Sequence, residues 1–106
     1  MSRRELILKR IVDEVERTSP SSEIYLYGSR ARGKAKKLSD WDVLVLLNAD
    51  TLSFEFETGV MNRFYEIELE TGAVISPLIY TKKDWESTHY STPLYANIQK
   101  EGVRLK

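Results

Sequence analysis

The sequence predicts an α/β or α+β domain, and three observations carry that expectation. Residues 3–17 place Leu8, Ile11, Val12 and Val15 at helical spacing with charges between them. Two short apolar runs, 23–27 and 41–47, have the length of strands. The connections between them are too short for a sheet doubly wound throughout.

The elements follow in order. After the first helix, Thr18-Ser19-Pro20-Ser21-Ser22 breaks the pattern. Residues 23–27 form a strand, 29–35 a short helix and 36–39 a loop. Residues 41–47 are apolar throughout after Asp42, as in a strand buried on both faces. Residues 53–71 carry two patterns. Phe56, Val60, Phe64 and Ile67 share one helical face, with Gly72 placed as a cap. Tyr65 to Glu70 instead alternates like a half-exposed strand, with Thr71-Gly72 as its turn. The length and the many glutamates favour the helix. Residues 73–80 form a third strand, and Pro77 inside it demands an edge position or a bulge. Residues 84–87 form a helical turn. Pro93 opens a closing helix that Gly102 ends, leaving Val103 and Leu105 to pack a short tail.

The chain of 106 residues is expected to form one domain, 1–106, with one modest core. Its 42% apolar and 30% charged residues are an ordinary soluble globular balance. No apolar run approaches the about 20 residues that span a bilayer. Met1 to Glu5 leads into a charged helix, unlike a signal-peptide core. The absence of cysteine removes disulfides and thiolate metal sites, and fits a cytoplasmic location. A formal net charge of zero disfavours a grip on long nucleic acid.

The chemistry concentrates between Tyr25 and Leu47. The first strand ends at Gly28-Ser29, and ten intervening residues lead to Asp40-Trp41-Asp42 at the start of the second. Carboxylates two apart on a strand share a face and repel one another, so such a pair is suited to a cation such as Mg²⁺. A Gly-Ser turn at a helix start offers backbone N–H groups to phosphate, and glycine lets the phosphate approach. Read structurally, Gly28 only ends a strand and Ser29 only caps a helix, which uses the same helix end. A cap likewise accounts for Asp40, but not for Asp42 inside an apolar strand. Trp41 should face the opposite side and pack in the core. Arg30, Arg32, Lys34, Lys36 and Lys37 cluster between the two halves. Adjacency to the turn assigns Arg30 or Arg32, and not the lysines, to a polyphosphate. Arg32 serves equally well as a loop brace. His89, the only histidine, has no second ligand at metal spacing and is expected at the surface.

Gly28, Ser29, Arg32, Gly33, Ser39, Asp40 and Asp42 together resemble the signature of the DNA polymerase beta-like nucleotidyltransferases, above all their minimal nucleotidyltransferase domains. The motif spans fifteen residues, Gly28 to Asp42, and a looser likeness covers nearly the whole chain. The resemblance implies a small mixed β-sheet of three to five strands with helices mainly on one side, and a helix over 53–71. It implies Mg²⁺-dependent transfer of a nucleoside monophosphate, AMP from ATP, to a hydroxyl acceptor. Asp40 and Asp42 would be the catalytic and metal-binding residues, and Gly28, Ser29 and Arg32 would bind the nucleotide. The chain departs from the pattern on its third strand, where such enzymes carry a third carboxylate. Ala73 to Tyr80 has no acid, and Ser76 or a neighbour stands in that place. Glu66, Glu68 or Glu70 could lean into the site instead, above all if the strand reading of that stretch holds.

The short chain leaves a macromolecular partner to supply the acceptor. Minimal nucleotidyltransferases often act as antitoxins that modify a tyrosine of a HEPN-type ribonuclease toxin, which implies a hetero-oligomer, one that can contain homodimeric halves. The missing acid supports a second reading, a binding module without turnover. An antibiotic-modifying transferase is disfavoured, because those relatives carry an additional domain. Tyr90 and Tyr95 are candidates for a partner surface, with buried packing as the simpler role.

Overall fold

The computed structural model describes residues 1–106. In chain order the elements are α1 (Arg3–Thr18), β1 (Glu23–Tyr27), α2 (Gly28–Ala31), β2 (Trp41–Leu47), α3 (Phe54–Thr71), β3 (Ile75–Thr81), α4 (Lys82–Ser87), α5 (Pro93–Glu101) and β4 (Val103–Arg104). The four strands form one mixed sheet in the order β3-β2-β1-β4. β2 runs parallel to β3 and antiparallel to β1, and β4 is antiparallel to β1.

Local chemistry sets the helix ends. Ser2 caps α1 by accepting from the Glu5 N–H at 3.1 Å, and Ser53 caps α3 by accepting from Phe56 N–H at 3.0 Å. Gly72 ends α3 in the left-handed conformation, φ +76°, and its N–H reaches the Glu68 carbonyl at 2.8 Å. The helical pattern of 53–71 therefore prevails over the alternating one, and Glu66 and Leu69 face solvent. α2 is shorter than the sequence predicts, because the chain leaves helical geometry at Gly33, φ +72°. β4 is an addition to the predicted elements: two residues carry no periodicity, but they pair Arg104 with Tyr25 and Val103 with Leu26.

Side chains alternate along β2. Trp41, Val43 and Val45 enter a core with Ile7, Ile11 and Val15 of α1 and Val60, Phe64 and Ile67 of α3. In α1 the fully buried ridge is Ile7–Ile11–Val15, with Leu8 and Val12 at its flank. Leu44 and Leu46 face the other way, onto Trp85 of α4 and Ile98 of α5. The two long helices thus cover one face, and only two short ones touch the other. This face assignment decides where Asp42 points, since it shares the side of Leu44 and Leu46. Pro77 lies in β3, an edge strand, as its missing N–H requires.

Candidate active site

β1 stops where its chemistry changes. After Tyr27 the chain turns at Gly28, φ +73°, and enters α2. Tyr27 is the register partner of Asp42, so the turn is set directly against the start of β2. A Cβ at Gly28 would overlap Asp42 Oδ2. Both the left-handed backbone and this close approach call for glycine. On its other side Asp42 is paired with Ser76 of β3. Tyr27, Asp42 and Ser76 therefore form a row across three strands, on one face.

Asp40 joins this row from the preceding loop. The Ser76 hydroxyl donates to Asp40 Oδ2 at 2.9 Å. Asp42 is half-buried and Asp40 is exposed. Burial and then the Asp40 charge push the Asp42 carboxyl above the usual carboxylate range, while Arg32 pulls the other way. Burial, Asp42 and Tyr80 push the Tyr27 hydroxyl up to about 12, so it stays protonated near neutrality. Trp41 is buried on the opposite face, as the spacing predicts.

The basic residues divide. The Arg30 guanidinium lies 4.3 Å from the Trp41 ring centroid and donates to the Ser39 carbonyl at 2.7 Å. It braces the loop that carries Asp40, and it is turned away from the Gly28 side. Arg32 stands at the rim of a recess of about 220 Å³ lined by Tyr27, Gly28, Leu94, Asn97, Ile98 and Glu101. There it donates to Glu101 Oε2 at 3.3 Å. Lys34, Lys36 and Lys37 are exposed. Ser29 occupies the first turn of α2, next to Gly28.

None of the three glutamates proposed to lean in does so. Glu68 accepts from the Ile75 N–H at 2.8 Å, Glu70 pairs with Arg10 at 2.8 Å, and Glu66 lies 3.7 Å from Arg63. His89 corrects the surface expectation: it is half-buried, 4.3 Å from Tyr80 and 5.6 Å from Trp85 between ring centroids. Tyr95 packs against Trp85, and Tyr90 remains exposed. Sequence reasoning missed Tyr27 and Glu101. Strand register exposes the first, but nothing in the sequence links Glu101 to Arg32, 69 residues earlier.

No cluster of three or more His, Cys, Asp or Glu side chains is assembled anywhere in the chain. The Asp40–Asp42 pair offers hard oxygen donors, and the upward pull on Asp42 is what a nearby cation would relieve. The donor set fits one oxygen-ligated divalent ion completed by water or phosphate. It does not fit two ions bridged by three carboxylates.

Comparison with known proteins agrees with this fold. The family model described as Nucleotidyltransferase domain matches residues 8–104. A toxin–antitoxin crystal structure with AMP-PNP is similar, at TM-score 0.67 and 23% identity, over 93% of this chain and 72% of that one. A mutant of the toxin–antitoxin MntA–HpeT aligns at TM-score 0.66 and 20% identity, over 93% and 72% of the two chains. A structure from Sulfolobus solfataricus described as a nucleotidyltransferase aligns at TM-score 0.58 and 20% identity, over 96% and 81%. At these identities the likeness establishes the fold. A search of curated proteins returned no match.

Proposed function

We propose, from the premise that this chain belongs to the nucleotidyltransferase domain family, that it transfers AMP from ATP to a hydroxyl acceptor with Mg²⁺ held at Asp40 and Asp42. The observation that supports this reading is the meeting of both carboxylates with the Gly28 turn at one end of the sheet. The acceptor oxygen attacks the α-phosphorus, the bond between them forms, the bond from that phosphorus to pyrophosphate breaks, and the hydroxyl proton goes to water. Mg²⁺ supplies charge neutralisation on the phosphates and lowers the acceptor's pKa. The Gly28–Ser29 turn receives the outer phosphates through backbone N–H groups and the Ser29 hydroxyl. Arg32, at the rim, exchanges Glu101 for phosphate oxygens. Trp41 and Arg30 hold the loop so that Asp40 stays beside Asp42.

The acceptor we infer is a tyrosine of a partner toxin of the HEPN type, in a cytoplasmic hetero-oligomer. The toxin–antitoxin relatives named above support a protein partner. No helix of this chain is long and apolar enough to cross a membrane. A second reading, a partner-binding module without turnover, draws on Ser76 standing beside Asp42 where an acid would serve as base.

The deciding experiment incubates the protein with α-labelled ATP, Mg²⁺ and a co-purifying partner, followed by intact mass measurement of both chains. Wild type should add the mass of one AMP to the partner, and Asp42→Asn should not. Equal adduct from both proteins, or none from wild type with a partner that binds it, rejects the enzymatic reading.

A further inference from the structure

We propose that Ser76 is itself a nucleotide acceptor, taking a nucleoside monophosphate onto its own hydroxyl from a nucleoside triphosphate bound beside Asp40 and Asp42. This rests on the nucleotidyl-transfer reading and adds an acceptor within the chain.

Three observations carry it. Ser76 is the register neighbour of Asp42 across the parallel strand pair, so its side chain rises from the same face. Its hydroxyl already donates to Asp40 Oδ2 at 2.9 Å, which holds the nucleophilic oxygen beside the two carboxylates. Ser39, by contrast, uses its hydroxyl to accept from the Lys36 N–H at 2.8 Å. Ser76 is also half-buried in an edge strand, where a triphosphate can reach it from solvent. The row Tyr27–Asp42–Ser76 crosses two strand spacings, roughly 10 Å, a length comparable with an extended triphosphate. A polyphosphate anchored at the Gly28 turn and laid over Asp42 runs toward Ser76.

The step balances with the groups named. The bond from Ser76 Oγ to the α-phosphorus forms, and the bond from that phosphorus to pyrophosphate breaks. The hydroxyl proton is released to solvent water at the edge of the sheet. Holding the hydroxyl in place removes the entropic cost that an external acceptor bears. The product has no donor to Asp40 and fills the space over both carboxylates, so one turnover silences the site. Self-modification is then a brake that operates when no external acceptor is present.

The test incubates purified protein alone with ATP and MgCl₂, then localises any adduct by tandem mass spectrometry. Expected is one AMP on the peptide carrying Ser76, absent from Ser76→Ala and retained at a lower level in Ser76→Thr. Two further measurements separate the outcomes: the melting shift caused by ATP with Mg²⁺, and Mg²⁺ affinity by calorimetry. If wild type shows the melting shift but gains no AMP, or gains it on Tyr27 or Ser29, the proposal is overturned while the nucleotide reading stands. If Ser76→Ala only weakens Mg²⁺ binding and wild type carries no adduct, Ser76 merely holds Asp40, which also overturns it. If ATP with Mg²⁺ shifts nothing, the nucleotide reading falls and takes this proposal with it.

Discussion

Asp42 Oδ2 occupies the space that a side chain on Gly28 would need. The turn can come this close to the carboxylate only because residue 28 carries no side chain. Gly28→Ala meets two obstacles, the left-handed φ of +73° and the overlap with Asp42. It should cost about 2 kcal/mol or more in stability. It should also abolish the stabilisation by Mg²⁺, since the displaced carboxylate no longer pairs with Asp40. Chemical denaturation with and without Mg²⁺ measures both effects.

Asp42→Asn should make the ion-free protein more stable near neutral pH. Burial first and then Asp40 raise the folded-state pKa of Asp42. At low pH the group is protonated in both states, so it carries no penalty. As pH rises past the ordinary carboxylate range of about 3.9, the unfolded state releases its proton first and wild-type stability falls until the folded pKa is passed. The gap between wild type and Asp42→Asn should therefore open across this window and persist above it. Mg²⁺ should close it, by stabilising wild type alone.

Glu23 supplies the opposite pH dependence. Burial raises its pKa, but hydrogen bonds from Lys82 and Tyr25 outweigh that and hold it below the usual range. A lowered folded pKa contributes stability above about pH 4.3 that is lost as pH falls through the folded value. Glu23→Gln should flatten this acid limb and cost about 1 kcal/mol at neutral pH. Urea titrations between pH 2 and 7 follow it.

Arg32 and Glu101 should act with opposite sign on nucleotide affinity. On the proposed function, Arg32→Ala removes a phosphate partner and should weaken ATP binding about 10-fold. Glu101→Gln frees Arg32 from a pair whose members are 43% and 36% exposed. An exposed pair contributes little, so the gain in ATP affinity should be only about 3-fold. Calorimetric titration with ATP and Mg²⁺ distinguishes the two.

Glu14 is 3% exposed and lies between Arg10 at 2.6 Å and Arg63 at 3.8 Å, joining α1 to α3. Arg10→Ala removes the shortest of three arginine contacts to this buried carboxylate, leaving Arg17 at 3.6 Å and Arg63 at 3.8 Å, and should cost about 2 kcal/mol. Glu70→Ala, on the exposed side of the same arginine, should cost under about 1 kcal/mol. Thermal melts of the two variants test the ranking.

The strands and long helices were legible in the sequence because each has a period that burial enforces. Alternation along 41–47 placed Trp41 and Asp42 on opposite faces, and the spacing from Gly28 brought turn and acids together. What escaped depended on tertiary context. Arg30 and Arg32 look alike in the sequence, yet only the fold gives one to Trp41 and the other to Glu101. β4 is two residues long and acquires strand geometry only from β1. His89 is drawn inward by Tyr80 and Trp85, partners that no local pattern announces.

Trp41 sits in sequence between the two acids and in space beneath a guanidinium, which makes it a built-in optical probe. The chain has only two indoles, so replacing Trp85 by Phe leaves a single emitter. Any ion or nucleotide that draws Asp40 and Asp42 together tugs the peptide carrying that ring. Its fluorescence then reports occupancy in real time, with no label attached.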